Sequence, residues 1–444
     1  MSQLVTQENK YQTAFKDLRG AASGGQGSAW FDRLRENAMA RFDEVGMPSV
    51  EQEDWKYTNL TALGRIDFDP VITSTPTISR DSVDRFSYPE SVNSTLVLVN
   101  GILHRDLSSL ENSGDLVVMD LVAAVADPRY GNLIRENLAR GAVHEMNGAV
   151  ALNTAMITSG AFVLVPRGTV LESPLHILCL SNSSGSVAAF PRVLIVAEEG
   201  SSVTIIESYG GTHESQYFTN AVVEIVLKDA ARLEHYRVQR ETSKAFHLGT
   251  TSIEMGRQAT YDSTAINLGS QLARHEINLV MNEEGAECWL DGLYITGSGQ
   301  HTDTHSMIDH RQPHCTSHQL YKGILDGNSR AVFNGKIFVR HGAQKTDAMQ
   351  TNKNLLLSSE ARVDTKPQLE IFADDVKCAH GAAVGQIAED ELFYLETRGI
   401  HPDLARNLLT YGFAEEVIGK IKLESIKAQL DEAVLNRLNT RLEV

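Results

Sequence analysis

The chain has 444 residues, is 42% hydrophobic and 22% charged, and carries a formal net charge of −17. That length allows two or three domains and a sizeable core, while the negative charge makes nucleic acid and anionic membrane surfaces poor partners for the protein as a whole. Cys179, Cys288, Cys315 and Cys378 lie far apart with no Cys-x-x-Cys pair, which excludes a disulfide framework and a zinc ribbon.

Residues 1 to about 90 read as helical and irregular. Residues 1–10 contain no apolar stretch of signal-peptide length, and strand candidates such as residues 220–227 are too short to span a bilayer. The expected address is therefore the reducing cytoplasm, with no membrane partner. A Gly/Ser/Ala segment at residues 20–28 reads as a flexible joint. After it, Trp30, Phe31, Leu34, Ala38 and Phe42 recur at helical spacing and predict an amphipathic helix, ended by Gly46-Met47-Pro48. Further on, residues 95–99 form a strand candidate before the turn signal Asn100-Gly101. Residues 120–126 and 130–139 look helical.

From about residue 160 the texture changes to short segments rich in Val, Ile, Thr and Tyr, punctuated by Gly, Asn, Asp and Ser. A loose repeat places a small residue after a polar turn at Ser201, Ala231, Ala259, Ala286, Ala331 and Ala361. Its members stand about 30 residues apart, except for one gap of about 45 that reads as a repeat with an insertion. That period with strand chemistry predicts a β-solenoid, in which stacked turns bury what one turn cannot. A β-sandwich with coincidental turns is the competing reading. The chain thus divides into a mainly helical or mixed region 1–160, a solenoid core 161–385 and a helical tail 386–444.

In the tail, Leu392, Phe393, Leu395 and Glu396 share one helix stopped by Gly399, and Pro402 opens the next, which carries Leu404, Leu408, Leu409 and Phe413. The last helix presents Ile426, Leu430, Val434 and Leu438 as a stripe. The stripe either covers the solenoid's open end or docks another protein.

Several patterns carry chemistry. Cys378 and His380 fall two residues apart in Asp374-Asp375-Val376-Lys377-Cys378-Ala379-His380-Gly381, at the end of the strand-rich region. In a strand they point to one face. Two soft ligands suit iron or sulfur chemistry but do not close a tetrahedral site, and a structural thiol beside a hydrogen-bonded histidine fits as well. A second cluster holds His301, Asp303, His305, His310, His314, Cys315 and His318. No His-Glu-x-x-His occurs, and solvated or hydrogen-bonded residues are the plainer reading. A self-sufficient metal site built on His301, His305, His310 and Cys315 is the sharper one. No phosphate-binding loop or nucleophile elbow is present, so the chain is not expected to hydrolyse ATP. A carbohydrate-active solenoid would draw its acid and base from Asp303, Asp309, Asp326, Asp347, Asp364, Asp374 and Asp375. Corner aspartates bonding their own backbone are the commoner case, and aromatic content is only 7%.

Residues 330–337 (Arg-Ala-Val-Phe-Asn-Gly-Lys-Ile), 350–357 (Gln-Thr-Asn-Lys-Asn-Leu-Leu-Leu), 364–371 (Asp-Thr-Lys-Pro-Gln-Leu-Glu-Ile) and the Cys378/His380 segment resemble the SufB/SufD family of iron–sulfur cluster assembly scaffolds. So do Leu392-Phe393-Tyr394-Leu395, Arg398-Gly399-Ile400 and, near the N-terminus, Glu53-Asp54-Trp55-Lys56-Tyr57-Thr58. The segment Val376 to Gly381 looks like the SufD branch. The resemblance implies a mainly β fold, a right-handed parallel β-helix flanked by helical N- and C-terminal regions. It implies a non-catalytic scaffold in the cytoplasm that pairs with a SufB-like paralogue through the β-helices. A SufC-like ABC ATPase would bind the C-terminal helices, with Leu392, Phe393, Leu395, Arg398, Leu408 and Phe413 as contact candidates. Sulfur would come from donor proteins, and an iron–sulfur cluster would form transiently at the SufB interface. There His380 is the favoured ligand or assembly residue, and Cys378 a second ligand, a sulfur relay or a structural thiol. A reduced flavin is linked to the family, but no flavin motif anchors it here. A homodimer of the isolated chain is the alternative assembly when the SufB-like partner is missing.

Overall fold

A computed structural model of the chain describes residues 2–22, 28–73, 78–111, 115–142, 145 and 147–439. Its centre is a parallel β-solenoid with two strands per turn. One sheet climbs through Tyr217–Leu227, Phe246–Met255, Leu272–Met281, His301–His310, Arg330–Val339 and Arg362–Ile371. The other climbs through Arg232–Arg240, Thr260–Asn267, Glu287–Thr296, Thr316–Leu325, Asp347–Leu356 and Lys377–Gly385. Neighbours pair in parallel, with Leu272 beside His301, His301 beside Arg330 and Arg330 beside Arg362. The mainly β solenoid with helices toward both termini is as expected. The strand Thr95–Val99 joins the base of the second sheet, parallel to Leu175–Ser181.

The small-residue repeat marks one corner of every turn. Ser201, Ala231, Ala259 and Ala286 are fully buried there, and the ladder continues through Cys315 and Thr346. Each carbonyl accepts from the first strand residue of the next turn, as from Arg232 N to Ser201 O (2.8 Å), Thr316 N to Ala286 O (2.9 Å) and Asp347 N to Cys315 O (3.1 Å). A left-handed residue precedes each member: Gly200, Ala230, Gln258, Gly285, His314 and Lys345 all have φ between 53° and 71°. Ala361 belongs to the opposite corner, where Arg362 N donates to Ser329 O, and Ala331 lies within a strand beside Thr302 and Val363. The expected insertion therefore does not exist. The long gap arose from stepping from one corner's ladder to another, because Cys315 and Thr346 are small without being alanine or glycine.

The solenoid interior is mostly apolar, with Val203, Leu233, Tyr261, Ile277, Leu279 and Phe333 stacked between the sheets. A polar band crosses it. Glu207 pairs with His235 (3.0 Å) and Arg237 (3.3 Å), and His247 with Glu241 (2.8 Å), all nearly sealed from solvent. Such groups persist inside a core because each has a partner.

Helices cover both outer faces. Helix Ala29–Val45 buries Phe31, Ala38 and Phe42 of its predicted stripe, and Met39 besides, while Trp30 and Leu34 are partly covered. It packs on helix Gly148–Ala155, which is buried throughout. These and Trp55 cover Phe218, Phe246, Leu248 and Leu272 of the first sheet. The segment 20–28 is only partly described: Gly20 ends no helix but lies inside Ser2–Ala22, and residues 23–27 are outside the described residues. The helices Leu121–Ala126 and Gly131–Asn137 match their expected positions.

The tail contradicts one expectation. Ile426, Leu430 and Val434 are buried against Ile206, Tyr236, Val238, Ile266 and Leu293 on the outer face of the second sheet. The stripe covers the flank of the solenoid and leaves its end open; the side chain of Leu438 is outside those described. A flank of β-branched and aromatic side chains gives a helix more apolar area than a sheet edge offers, at about 1.5–3 kcal/mol per large side chain buried.

Candidate functional site

The stack ends with Arg362–Ile371 and Lys377–Gly385, each the last strand of its sheet. Among the described residues no further turn covers them. Strand burial changes accordingly: Asp347–Leu356 alternates between sealed and accessible positions, whereas Lys377–Gly385 is exposed along almost its whole length. Residues of the last turn that continue the inner face lie open, with Ile371 39% and Val384 47% accessible. Phe372, just past the strand end, is 47% accessible.

Cys378 and His380 sit on this terminal strand, in register with Ala348 and Gln350 of the strand beneath. Ala348 and Gln350 are buried, facing the solenoid interior, so Cys378 and His380 stand on the interior-facing side of the last turn. Cys378 is half-buried against a small core that includes Ala348 and Ala373, and His380 is exposed. Burial pushes the Cys378 thiol up, and the Asp347 carboxylate adds to it. Cys378 is thus a protonated thiol at neutral pH until a metal or a cation draws the proton off. The two candidate ligands lie side by side as the sequence predicted. Among the described residues no group of three or more His, Cys, Asp or Glu is placed to hold a metal ion.

A groove of about 380 Å³ adjoins the terminal strand, lined by Ala383, Gly385, Lys353, Asn354, Leu409 and Phe413. It joins the open end to the helices Glu389–Thr397 and Pro402–Ile418. On those helices Phe393 (67%), Leu408 (47%), Leu404 and Tyr394 are exposed apolar surface. Leu392 and Leu395 are partly covered, and Arg398 stacks on Tyr394. Phe413 turns inward. Lys322 Nζ donates to its carbonyl (2.8 Å), lies 4.3 Å from its ring centroid and pairs with Glu416. Phe413 therefore ties the tail to the solenoid, and the exposed members of the predicted contact set are Phe393, Arg398 and Leu408.

The histidine cluster does not converge. His301, Asp303 and His305 share the outer face of the first sheet, as an extended chain predicts. They grip the N-terminal segment: His301 Nε2 stands 2.8 Å from Thr58 Oγ1, and that hydroxyl donates to Asp303 (2.5 Å). Arg274 Nη1 donates to the same carboxylate (2.5 Å), which His305 also approaches (3.1 Å). His310 faces inward, bonded to Ser317 Oγ (2.8 Å), and His314 and Cys315 are corner residues. A metal site from His301, His305, His310 and Cys315 would need ligands on both sides of one sheet. Several of the carboxylates that a glycan-cleaving site would require are paired too: Asp303 with Arg274, Asp309 with Arg311 and Arg340, Asp364 with Arg330, and Asp375 with Lys345. The sequence reading missed the buried amides beneath the open end, Gln319, Gln350, Asn352 and Asn354. Their only sequence signal was polar residues at alternate positions of an otherwise buried strand.

Comparison with known proteins bears on the same regions. The chain matches the SUF system FeS cluster assembly, SufBD core domain over residues 179–413 and the SufBD protein N-terminal region over residues 5–177. It is 36% identical to an iron–sulfur cluster assembly SufBD family protein of Synechocystis, covering 97% of this chain and 95% of the relative. It is 33% identical to the iron–sulfur cluster assembly protein SufD of Escherichia coli, over 90% of each. It is 27% identical to SufD of Bacillus subtilis, over 93% of this chain and 95% of that one. With both family regions matched in order along the chain, the chain belongs to the SufBD family of iron–sulfur cluster assembly proteins.

Proposed function

We propose that this chain is a non-catalytic scaffold subunit of a SufBCD-type complex, in which a second β-solenoid of the SufB kind seats on the open end and a SufC-like ABC ATPase binds the C-terminal helices. The observation that carries this reading is the uncovered last turn. An open parallel edge with accessible apolar side chains is a template for strand pairing. Cys378 and His380 lie on that edge, two ligands where a tetrahedral centre needs more. A paralogue seated there would complete the set, making the site a property of the interface. The iron–sulfur cluster is the cargo: sulfur arrives from donor proteins, the cluster forms at the interface and is passed to acceptors.

Other features support this assignment. The four cysteines are unpaired, which fits a reducing cytoplasm. Among the described residues no helix is long and apolar enough to cross a membrane. ATP turnover belongs to the partner in this reading, and Phe393, Arg398 and Leu408 offer it an exposed surface beside the open end. When the SufB-like partner is missing, the same edge is open to a second copy of the chain.

The test is His380→Ala in the reconstituted three-component complex. Cluster formation, followed by visible absorbance and by activation of an apo-ferredoxin, should collapse while the complex elutes unchanged. Wild-type cluster formation by the variant would remove His380 from the site. Cys378→Ser in the same assay separates a ligand or relay from a structural thiol.

A further inference from the structure

Beneath His380 the interior of the solenoid is floored with amides. Gln350 Nε2 donates to Gln319 Oε1 (2.7 Å), and Gln319 Nε2 donates to Ser306 Oγ (2.7 Å). Both glutamines are sealed from solvent, at 1% and 3% accessible. Room for the upper one comes from the facing strand: a Cβ on Gly335 would lie 2.2 Å from Gln350 Nε2. The chain has a direction. Gln350 spends an N–H on the turn below and Gln319 spends one on the facing strand of the first sheet, which fixes each amide plane and leaves its carbonyl oxygen for what lies above. At the top, Gln350 Oε1 is buried and has no hydrogen-bond partner among the described residues. An orphaned buried acceptor costs about 1–3 kcal/mol, so it needs a donor. The residue paired with Gln350 on the next strand, on the same interior-facing side, is His380. Neighbouring strands stand about 4.8 Å apart, within reach of an imidazole N–H after a rotamer change.

We propose that Gln350 is a positioning residue for His380: its carbonyl oxygen accepts the imidazole N–H, fixing one neutral tautomer and turning the other nitrogen's lone pair outward to the open end. A ligating histidine commonly has its second nitrogen held by a carbonyl or carboxylate acceptor, which sets ring orientation and tautomer. The Ser306–Gln319–Gln350 relay supplies that acceptor from inside the solenoid, where the partner subunit cannot disturb it. The role rests on the reading of His380 as a cluster ligand, but the bond itself does not.

The test is read on the isolated full-length chain, apart from any cluster assay. Selective 15N labelling of histidine reports the tautomer of the neutral His380 ring, assigned by its loss in His380→Ala. Wild type should hold one tautomer in about tenfold excess. Gln350→Met, similar in shape but without the acceptor, should relax to the mixture of a free imidazole. Gln350→Asn, too short to reach, should do the same and keeps the test alive should the Met variant not fold. A free-imidazole mixture in wild type, or the wild-type ratio in either folded variant, overturns the proposal. Loss of cluster formation in His380→Ala beside an unchanged tautomer ratio in Gln350→Met would sink the positioning role alone. A shifted tautomer beside normal cluster formation in His380→Ala would sustain the Gln350–His380 bond and sink the ligand reading, and the positioning role with it.

Discussion

The guanidinium carbon of Arg274 lies 3.7 Å from the centroid of the Trp55 indole. The same guanidinium pairs with Asp303 and Glu276 and donates to the carbonyl of Asp54 (2.9 Å). Arg274 and Asp303 are both nearly sealed, and the Arg274 charge holds the Asp303 carboxyl well below the usual range against the opposing effect of its burial. One arginine thus fastens the segment Glu53 to Thr58 to the outer face of the solenoid.

Removing one partner of a buried pair strands the other charge, at about 3–5 kcal/mol. Arg274→Met should therefore destabilise the chain by that amount in urea unfolding, and adding Asp303→Asn should recover part of it. A double-mutant cycle should give a coupling above about 1 kcal/mol. Additive losses would mean that the two side chains do not depend on each other. Trp55→Ala should cost about 3–5 kcal/mol by lost burial and speed proteolysis N-terminal to it.

The corner ladder supports a sharper contrast between neighbours. Ala230 is exposed with φ 56°, and Ala231 is fully buried. Left-handed backbone costs a non-glycine residue about 1–2 kcal/mol, offset in part by the greater unfolded-state entropy of glycine. Ala230→Gly should leave stability unchanged or raise it by up to about 1 kcal/mol. Ala231→Leu one position on should overpack the corner and lose about 1–3 kcal/mol or more. Equal effects at both positions in thermal unfolding would contradict the ladder.

That ladder also shows what was legible in the sequence. Ala231, Ala259 and Ala286 gave the period, because a tight corner admits only small side chains, and the period gave the solenoid. Cys315 and Thr346 hid the next two steps, since the corner selects for size and not for alanine. Helix Gly148–Ala155 carried no amphipathic signal because it is buried on every side. Cys378 and His380 were legible as neighbours on one face, since strand alternation is local. Gln350 was not, because its meaning depends on the register between turns, here 350 beside 380 and 319 beside 350. The same holds for Arg274 and Trp55, which sequence separates and the fold joins.

The tail's packing determines how the proposed ATPase surface is to be tested. Deleting residues 387–444 would strip Ile426, Leu430 and Val434 from the solenoid flank, so loss of binding could reflect loss of structure. Phe393→Ser with Leu408→Ser changes only exposed positions. The double variant should keep its circular dichroism and pairing with the SufB-like partner, and lose binding to the SufC-like ATPase by at least about tenfold. Wild-type affinity in a pull-down or calorimetric titration would move the docking surface elsewhere.

Buried histidines set the acid limit of the fold. Burial lowers His310 to about 4 and, with the nearby Arg240 charge, His176 to about 3. An unfolded chain protonates histidine near pH 6.5. Between about pH 6.5 and about pH 4 the unfolded state therefore binds protons that the native His310 refuses, so stability falls as pH falls. Above pH 6.5 both states are neutral and this contribution is flat. At about 1.4 kcal/mol per pH unit, His310 alone should remove about 2 kcal/mol between pH 6.5 and 5. Asp303 adds little in that window, because it is ionised in both states until pH nears the ordinary carboxylate value of about 4; below that the unfolded state takes up a proton that the native carboxylate refuses, and its contribution is lost. The check is equilibrium unfolding of wild type and His310→Asn at about pH 7.5 and about pH 5. Asparagine keeps a polar contact for Ser317 and has no proton to gain, so the stability difference between the two pH values should shrink by about 2 kcal/mol in the variant. An identical difference in both proteins would show that His310 takes up its proton without unfolding.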